Sequence, residues 1–530
     1  MADAPWWQQG VLYQIYPRSF ADADGDGIGD LRGVRDRLEH LAWLGVDGIW
    51  LNPTMPSPNE DWGYDVADYC AVHPDLGTLA DVDALVAAAG VHGIRVLLDL
   101  VPNHSSDRHV WFQDARSGRD ARHRDFYVWG DPRPGGGPPN NWLSNFGGSA
   151  WTLDEASGQY YLHNFLPSQP DLNWWNPEVR DAFDDVLRFW FARGVAGFRI
   201  DVTHAIVKDR ELRDDPVATE EDHPFVRERG LKAVFSMNRP EVHDVLRRWR
   251  AVADEQDPRR ILVGETYVLD LEQLFPFYGQ GEDELTLAFN FIFVHTELAA
   301  APLREVVEAT EAGLPELAWP VWTGSNHDAG RLVRRWAGGD ERRARAALTM
   351  LLTLRGTPFL YYGDEIAMAE PALDPEQALD PVGRRTNDPS RNRDPCRTPM
   401  QWTAGEGAGF TAAGVRPWLP LGDAAACNVA DQREDPGSVL RLVRDLIAVR
   451  RERADLHRGA YTSLPSPDGV WAFRRGEGTS VALNLADAPA QVDLPAGVVA
   501  IAARRAQDGE RVGADLRLEP WDAVVVALDG

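Results

Sequence analysis

Eight short apolar runs, alternating with stretches of helical periodicity, recur along the first four-fifths of the chain. The runs fall at residues 11–16, 46–51, 94–101, 195–201, 261–265, 287–293, 319–325 and 358–362. Amphipathic stretches at 34–44, 80–89, 177–193, 240–255 and 341–354 fill gaps between them. Eight βα units in sequence predict an α/β fold, a closed parallel (β/α)8 barrel, with chemistry on the loops after the strand C-termini.

Two departures from the repeat divide the chain. The interval from the third strand to Pro177 is rich in Gly, Pro, Asn and Trp and too long for a structureless loop, so residues 104–173 are expected to form an inserted subdomain. Near residue 455 the pattern becomes strand-like pieces (470–473, 480–484, 498–502, 523–527) separated by turns such as Pro467-Asp468-Gly469. Residues 456–530 therefore read as a C-terminal antiparallel β domain, leaving 1–103 and 174–455 for the barrel.

Composition bears mainly on partners. A formal charge of −28 opposes nucleic acid or an anionic membrane surface. The 20 tryptophans are unusual; core packing accounts for at least half of them, and carbohydrate-binding proteins use such rings as stacking platforms. Cys70, Cys396 and Cys427 are odd in number and far apart, so no disulfide framework or CxxC metal site is expected. Neither a leader-like start nor an apolar segment long enough to span a bilayer is found, which makes the cytoplasm the expected compartment, as a monomer or homodimer.

Several strands end in groups that a packing strand does not need. Arg199 and Asp201 share one side of the strand 195–201, and burying either alone is costly. The third strand leads into Asp99-Leu100-Val101-Pro102-Asn103-His104, the fifth into Gly264-Glu265-Thr266, and the seventh into Ser325-Asn326-His327-Asp328. Singly, each such residue could cap a helix. Together, several carboxylates on one barrel rim suit glycoside hydrolysis, with one as nucleophile and another as acid/base. Arginine beside Asp201 is expected to hold its carboxyl low and ionised, and the apolar run before Glu265 suits a general acid.

In this order, the four strand-end segments resemble the signature regions of the α-amylase family, glycoside hydrolase family 13. Gln169-Pro170-Asp171-Leu172-Asn173 and Arg397-Thr398-Pro399-Met400-Gln401-Trp402 resemble its oligo-1,6-glucosidase and α-glucosidase branch. The resemblance implies Asp201 as nucleophile, Glu265 as acid/base and Asp328 as a transition-state stabiliser. It implies sugar contacts from Tyr64, Asp65, His104, Arg199 and His327, with Phe165 bordering the next subsite. An arginine from the loop after the eighth strand, Arg393 or Arg397 with Arg393 preferred, would complete the pocket.

The segment from Asp22 to Asp30 places aspartates like the start of an EF-hand loop, but Gly33 stands where the twelfth-position glutamate belongs. A solvated acidic turn is one reading. The resemblance implies the other, a structural, non-catalytic Ca2+ or Mg2+ held by Asp22, Asp24, Asp26, the Ile28 carbonyl and Asp30.

The expected activity is that of a retaining exo-α-glucosidase on short α-1,4- or α-1,6-linked oligosaccharides, with transglucosylation. Val202 resembles the residue type of relatives that prefer α-1,6 bonds. The alternative is a sucrose- or maltose-acting glucosyl isomerase of the trehalose synthase type, although the Arg-Leu-Asp-Arg-Asp motif of isomaltulose-forming relatives is absent. A non-catalytic partner subunit, which would have lost a carboxylate and gained a membrane helix, fits poorly.

Overall fold

The computed structural model describes residues 5–386, 388–513 and 515–529. In chain order the strands are β1 (Leu12–Ile15), β2 (Gly48–Leu51), β3 (Arg95–Leu100), β4 (Trp129–Gly130), β5 (Trp151–Asp154), β6 (Gln159–Leu162), β7 (Gly197–Ile200), β8 (Ile261–Gly264), β9 (Leu287–Ala288), β10 (Val321–Thr323) and β11 (Thr357–Tyr361). Eight of them form one parallel sheet in the order β10-β11-β1-β2-β3-β7-β8-β9, a barrel nearly closed, whose seam lies between β9 and β10. Leu12, Trp50, Leu97, Ile261, Val263, Leu287, Val321 and Phe359 fill its interior. Each such side chain contributes about 1.5–3 kcal/mol by leaving water.

Register places the chemistry. Asp99 of β3 lies directly opposite Arg199 of β7. Gly197 permits the close approach of β7 to β8, because a Cβ there would stand 2.2 Å from the Ile261 carbonyl oxygen.

Between β3 and β7, the strands β4, β6 and β5 make a small antiparallel sheet packed around Trp142, Trp151 and Leu162. The C-terminal strands are β12 (Tyr461–Leu464), β13 (Val470–Arg475), β14 (Thr479–Asn484), β15 (Ala490–Val492), β16 (Gly497–Ala502), β17 (Arg511–Val512), β18 (Leu516–Leu518) and β19 (Asp522–Leu528). Six pair in the order β12-β13-β14-β19-β16-β17, and β15 pairs with β18. Alternation divides this sheet's faces: Trp471, Phe473, Val481, Leu483 and Val525 join the main core, while Val470, Ala472, Ala482, Val524 and Val526 build a separate one.

Some expected elements differ. The run 287–293 is a strand only to Ala288, because Asn290 accepts a hydrogen bond from the Phe293 N–H and starts the helix Phe291–His295. The stretch 34–44 is two helices, Leu31–Asp36 and Leu38–Leu44, broken at Arg37, whose guanidinium lies 4.3 Å above the Trp402 ring. The helices Ala300–Gly313 and Val439–Glu452 are additional to the five amphipathic stretches.

Candidate active site

Three strand ends meet on one buried guanidinium. Arg199, 1% exposed, places Nη1 2.8 Å from Asp99 Oδ1 and 2.8 Å from Asp201 Oδ1, and Nη2 2.7 Å from Glu265 Oε2. Its face lies 4.8 Å from the Trp50 ring, whose indole N–H donates to Asp99 at 3.1 Å. Glu265 Oε2 also accepts the Val202 N–H at 2.9 Å. Among the described residues no donor reaches Asp201 Oδ2 or Glu265 Oε1, so each carboxyl keeps one oxygen for a ligand.

One arginine divided among three carboxylates cannot hold Asp201 low, contrary to the sequence-based expectation of a simple Arg199–Asp201 pair. Burial raises the Asp201 carboxyl well above the usual range; Arg199 opposes this, and Glu265, Asp99 and Asp328 add to it. Burial likewise pushes Asp99 up to about 7 against the pull of Arg199. Asp99 and Asp201, facing one guanidinium, therefore titrate together rather than independently.

A second group stands beside it. Asp328 is a third exposed to the pocket, and its Oδ1 accepts from Arg393 Nη1 at 2.9 Å and Arg397 Nη2 at 2.8 Å. Burial would raise its carboxyl, but His327, Arg393 and Arg397 outweigh that and hold it well below the usual carboxylate range. Buried His327 accepts from Gln14 Nε2 at its Nδ1 (2.9 Å), so its proton lies on Nε2, 2.6 Å from the Tyr64 hydroxyl and 3.1 Å from Asp328 Oδ2. Tyr64 stacks on this ring, with centroids 5.4 Å apart, and donates to Asp99 at 3.1 Å. Burial lowers the His327 ring well below its ordinary value, against the pull of Asp328.

The remaining predicted residues divide. Arg393 reaches Asp61 (2.8 Å), Asp380 (2.7 Å) and Asp328, a network across one end of the group. Arg397 is fully buried and spends Nε on the His327 carbonyl, so it supports the site from behind. His104 is buried too: Nε2–H donates to the Tyr64 carbonyl, Nδ1 accepts from Asn103, and Phe165 lies 5.1 Å from its ring. Asp65 is a correction. It is fully buried, and its oxygens accept the Ser57 hydroxyl and the Glu60 and Asp61 N–H groups, which shapes the loop rather than facing a sugar. Asp61 is the residue that turns inward.

Asp99, Asp61 and Asp380 escaped the sequence reading. Asp99 opens the strand-end segment that leads to His104, and Asp61 stands three residues before Tyr64, so both carry a signal. Asp380 carried none, because it matters only once its loop folds back to Arg393. In the Gln169–Asn173 segment, Gln169 donates to Asp61 at 3.1 Å, and buried Asp171 pairs with Lys208 at 2.8 Å, which ties the small sheet's segment to the barrel. A cavity of about 560 Å3 lined by Trp6, Asp47, Arg95 and Arg450 lies at the opposite, N-terminal ends of β1, β2 and β3, away from this chemistry.

Of the predicted metal ligands, Asp22, Asp24 and Asp30 bring carboxylate oxygens within 4.8 Å of one another, a hard-oxygen set that suits Ca2+ or Mg2+. Asp26 lies outside that group and accepts the Ile28 N–H at 2.7 Å, and Asp30 also caps the helix Leu31–Asp36. Burial and the neighbouring Asp26, Asp30 and Asp22 raise the Asp24 carboxyl, the repulsion a cation would relieve.

Comparison with known proteins agrees with this arrangement. The family model "Alpha amylase, catalytic domain" matches residues 14–459. A probable alpha-glucosidase of Rhizobium meliloti (strain 1021) is 43% identical, over 93% of this chain and 92% of its own length. An oligo-1,6-glucosidase of Heyndrickxia coagulans is 36% identical, over 92% and 94%. Among solved structures, the alpha-glucosyl transfer enzyme XgtA superposes with a TM-score of 0.92 at 39% identity, over 99% of this chain and 100% of that one. A trehalulose synthase variant superposes with 0.90 at 34%, over 99% and 100%. The chain is thus a glycoside hydrolase and belongs to the α-amylase family, glycoside hydrolase family 13, on its oligo-1,6-glucosidase and α-glucosidase branch.

Proposed function

We propose that this glycosidase is a retaining exo-α-glucosidase, removing glucose from the non-reducing end of short α-1,4- or α-1,6-linked oligosaccharides and transferring it to sugars at high substrate. The observation that carries the reading is Arg199 holding Asp201 and Glu265 on adjacent nitrogens of one guanidinium. Carboxyls so tethered stand close, as in retaining pairs about 5–5.5 Å apart, with no room for the water an inverting pair needs. Asp201 Oδ2 attacks the anomeric carbon while protonated Glu265 gives its proton to the leaving oxygen. A β-glucosyl ester forms on Asp201. Glu265, now a base, takes a proton from water or an acceptor hydroxyl, which attacks the same carbon, breaks its bond to Asp201 to free the carboxylate, and restores the α configuration.

Asp328, kept ionised, accepts from the sugar hydroxyls, and the Arg393–Asp61–Asp380 network closes the pocket behind the glucose, which favours exo attack. Tyr267, two residues past Glu265 and 37% exposed, offers a face to the leaving group or acceptor. Free thiols at Cys70, Cys396 and Cys427 accord with a reducing compartment, and we place the enzyme in the cytoplasm as a monomer or homodimer.

The second reading, a sucrose- or maltose-acting isomerase, draws on the likeness to the trehalulose synthase. Sugar analysis after incubation with maltose, isomaltose, sucrose and trehalose separates them. The proposal expects glucose as the main product from maltose or isomaltose; an isomerised disaccharide with little free glucose would overturn it.

A structural Ca2+ or Mg2+ on Asp22, Asp24 and Asp30 is part of the proposal. Chelation is expected to lower the melting temperature and added Ca2+ to restore it, with no response in Asp24→Asn. Equal melting behaviour of both proteins under chelator and Ca2+ would remove the ion.

A further inference from the structure

The residue after Asp201 has an unusual backbone. Val202 adopts φ 34° and ψ 48°, and it is the only β-branched residue at positive φ among the described residues. Val in this region is sterically disfavoured, and such strain persists where the surroundings over-determine it. Its effect here is to direct successive amides at one target. The Val202 N–H donates to Glu265 Oε2 at 2.9 Å, and the Thr203 N–H donates to the Glu265 main-chain carbonyl at 2.9 Å. The Glu265 N–H in turn donates to the Ile200 carbonyl at 2.9 Å. Glu265 is therefore clamped, side chain and main chain, by the turn that carries Asp201.

We propose that the Val202 main-chain amide is a positioning donor for the acid/base. With Oε2 committed to Val202 N–H and Arg199 Nη2, the transferable proton sits on Oε1, the oxygen facing the leaving group. Because the donor is the peptide joining residues 201 and 202, one peptide unit fixes the spacing of nucleophile and acid. The strained turn thus has a task beyond any linkage preference of the valine side chain. This inference rests on the reading of Glu265 as acid/base.

The test replaces Val202 by 2-hydroxyisovaleric acid, which keeps the side chain and exchanges the N–H for an ester oxygen. The comparison is of kcat/KM, which reports the glucosylation step and not the later step in which Glu265 acts as base, on a 2,4-dinitrophenyl α-glucoside, whose leaving group needs no proton, and on isomaltose and maltose, whose leaving groups do. Positioning of a general acid predicts a loss of about tenfold or more on the disaccharides and less than about twofold on the dinitrophenyl glucoside. Equal loss on both, or loss on neither, overturns it. Should the ester protein fail to fold, [15N]valine spectra of the natural protein and of Glu265→Ala decide. The Val202 amide proton is expected to move more than any other valine amide, and an unmoved resonance overturns the inference. Glu265→Ala on the same substrates separates the two levels: if it too spares the disaccharides, the acid/base reading fails, whereas if it alone spares the dinitrophenyl glucoside, only the Val202 proposal fails.

Discussion

Arg199 Nη1 meets both oxygens of Asp99, at 2.8 and 3.0 Å, through the nitrogen that also bonds Asp201. Asp99 is fully buried and takes Trp50 and Tyr64 as its other donors, so it fixes the guanidinium without facing the sugar. It is also one of the charges that raise Asp201.

Asp99→Asn should therefore do two opposite things. Removing a neighbouring negative charge lets Asp201 ionise at lower pH, so the acid limb of the kcat/KM profile should move to lower pH. Losing part of the arginine's anchorage should lower kcat and destabilise the fold by about 1–3 kcal/mol, the cost of an unmade buried hydrogen bond. The pH–rate profile and urea denaturation check both. An acid limb moving to higher pH would contradict the electrostatic account.

Arg393 and Arg397 both hold Asp328, yet only Arg393 also meets Asp61 and Asp380 across the pocket. Arg393→Ala should raise KM and lower kcat/KM about 10–100-fold, the loss of one or two charge-assisted contacts, with a modest change in melting temperature. Arg397→Ala should show mainly in stability, since its Nε supports the His327 carbonyl in the buried floor. Steady-state kinetics with thermal denaturation distinguishes the pair, and the reverse pattern would exchange their roles.

Burial lowers His104 to about 4, against 6.5 for a free ring. Folding excludes a proton here, so above about pH 6.5 the ring is neutral in both states and costs nothing. As pH falls from about 6.5 toward 4 the unfolded chain binds a proton the folded one refuses, and stability is lost by about 1.4 kcal/mol per pH unit. Asp65 and Asp364, each raised to about 6 by burial, act the other way, losing stability as pH rises from 3.8. The difference between natural protein and His104→Gln isolates the histidine. The natural protein should lose stability more steeply between pH 6.5 and 4, and parallel curves would show that His104 titrates normally.

The barrel and the central carboxylates were legible because a charge at the end of an apolar strand is a local anomaly. Arg199, Asp201, Glu265 and Asp328 each interrupt a run that packing alone would leave apolar. The pocket's far end was not legible in the same way. Asp61 and Asp65 flank Tyr64 closely, and only the folded loop shows that Asp65 is spent on the Glu60 and Asp61 N–H groups. Arg393 pairs with Asp380 and, across most of the chain, with Asp61, a contact that no spacing encodes. The division of Arg199 among three carboxylates depends on strand register, which placed Asp99 opposite it and reversed the expected direction for Asp201.

Asp201 is expected to become glucosylated during turnover. Brief reaction with 5-fluoro-α-D-glucosyl fluoride, which forms a glucosyl-enzyme faster than it is hydrolysed, followed by proteolysis and mass spectrometry, tests it directly. A single adduct on the peptide carrying Asp201, absent from Asp201→Asn, is the predicted result. An adduct on Glu265 or Asp328, or catalytic turnover of the reagent with no covalent species at any time, would contradict it.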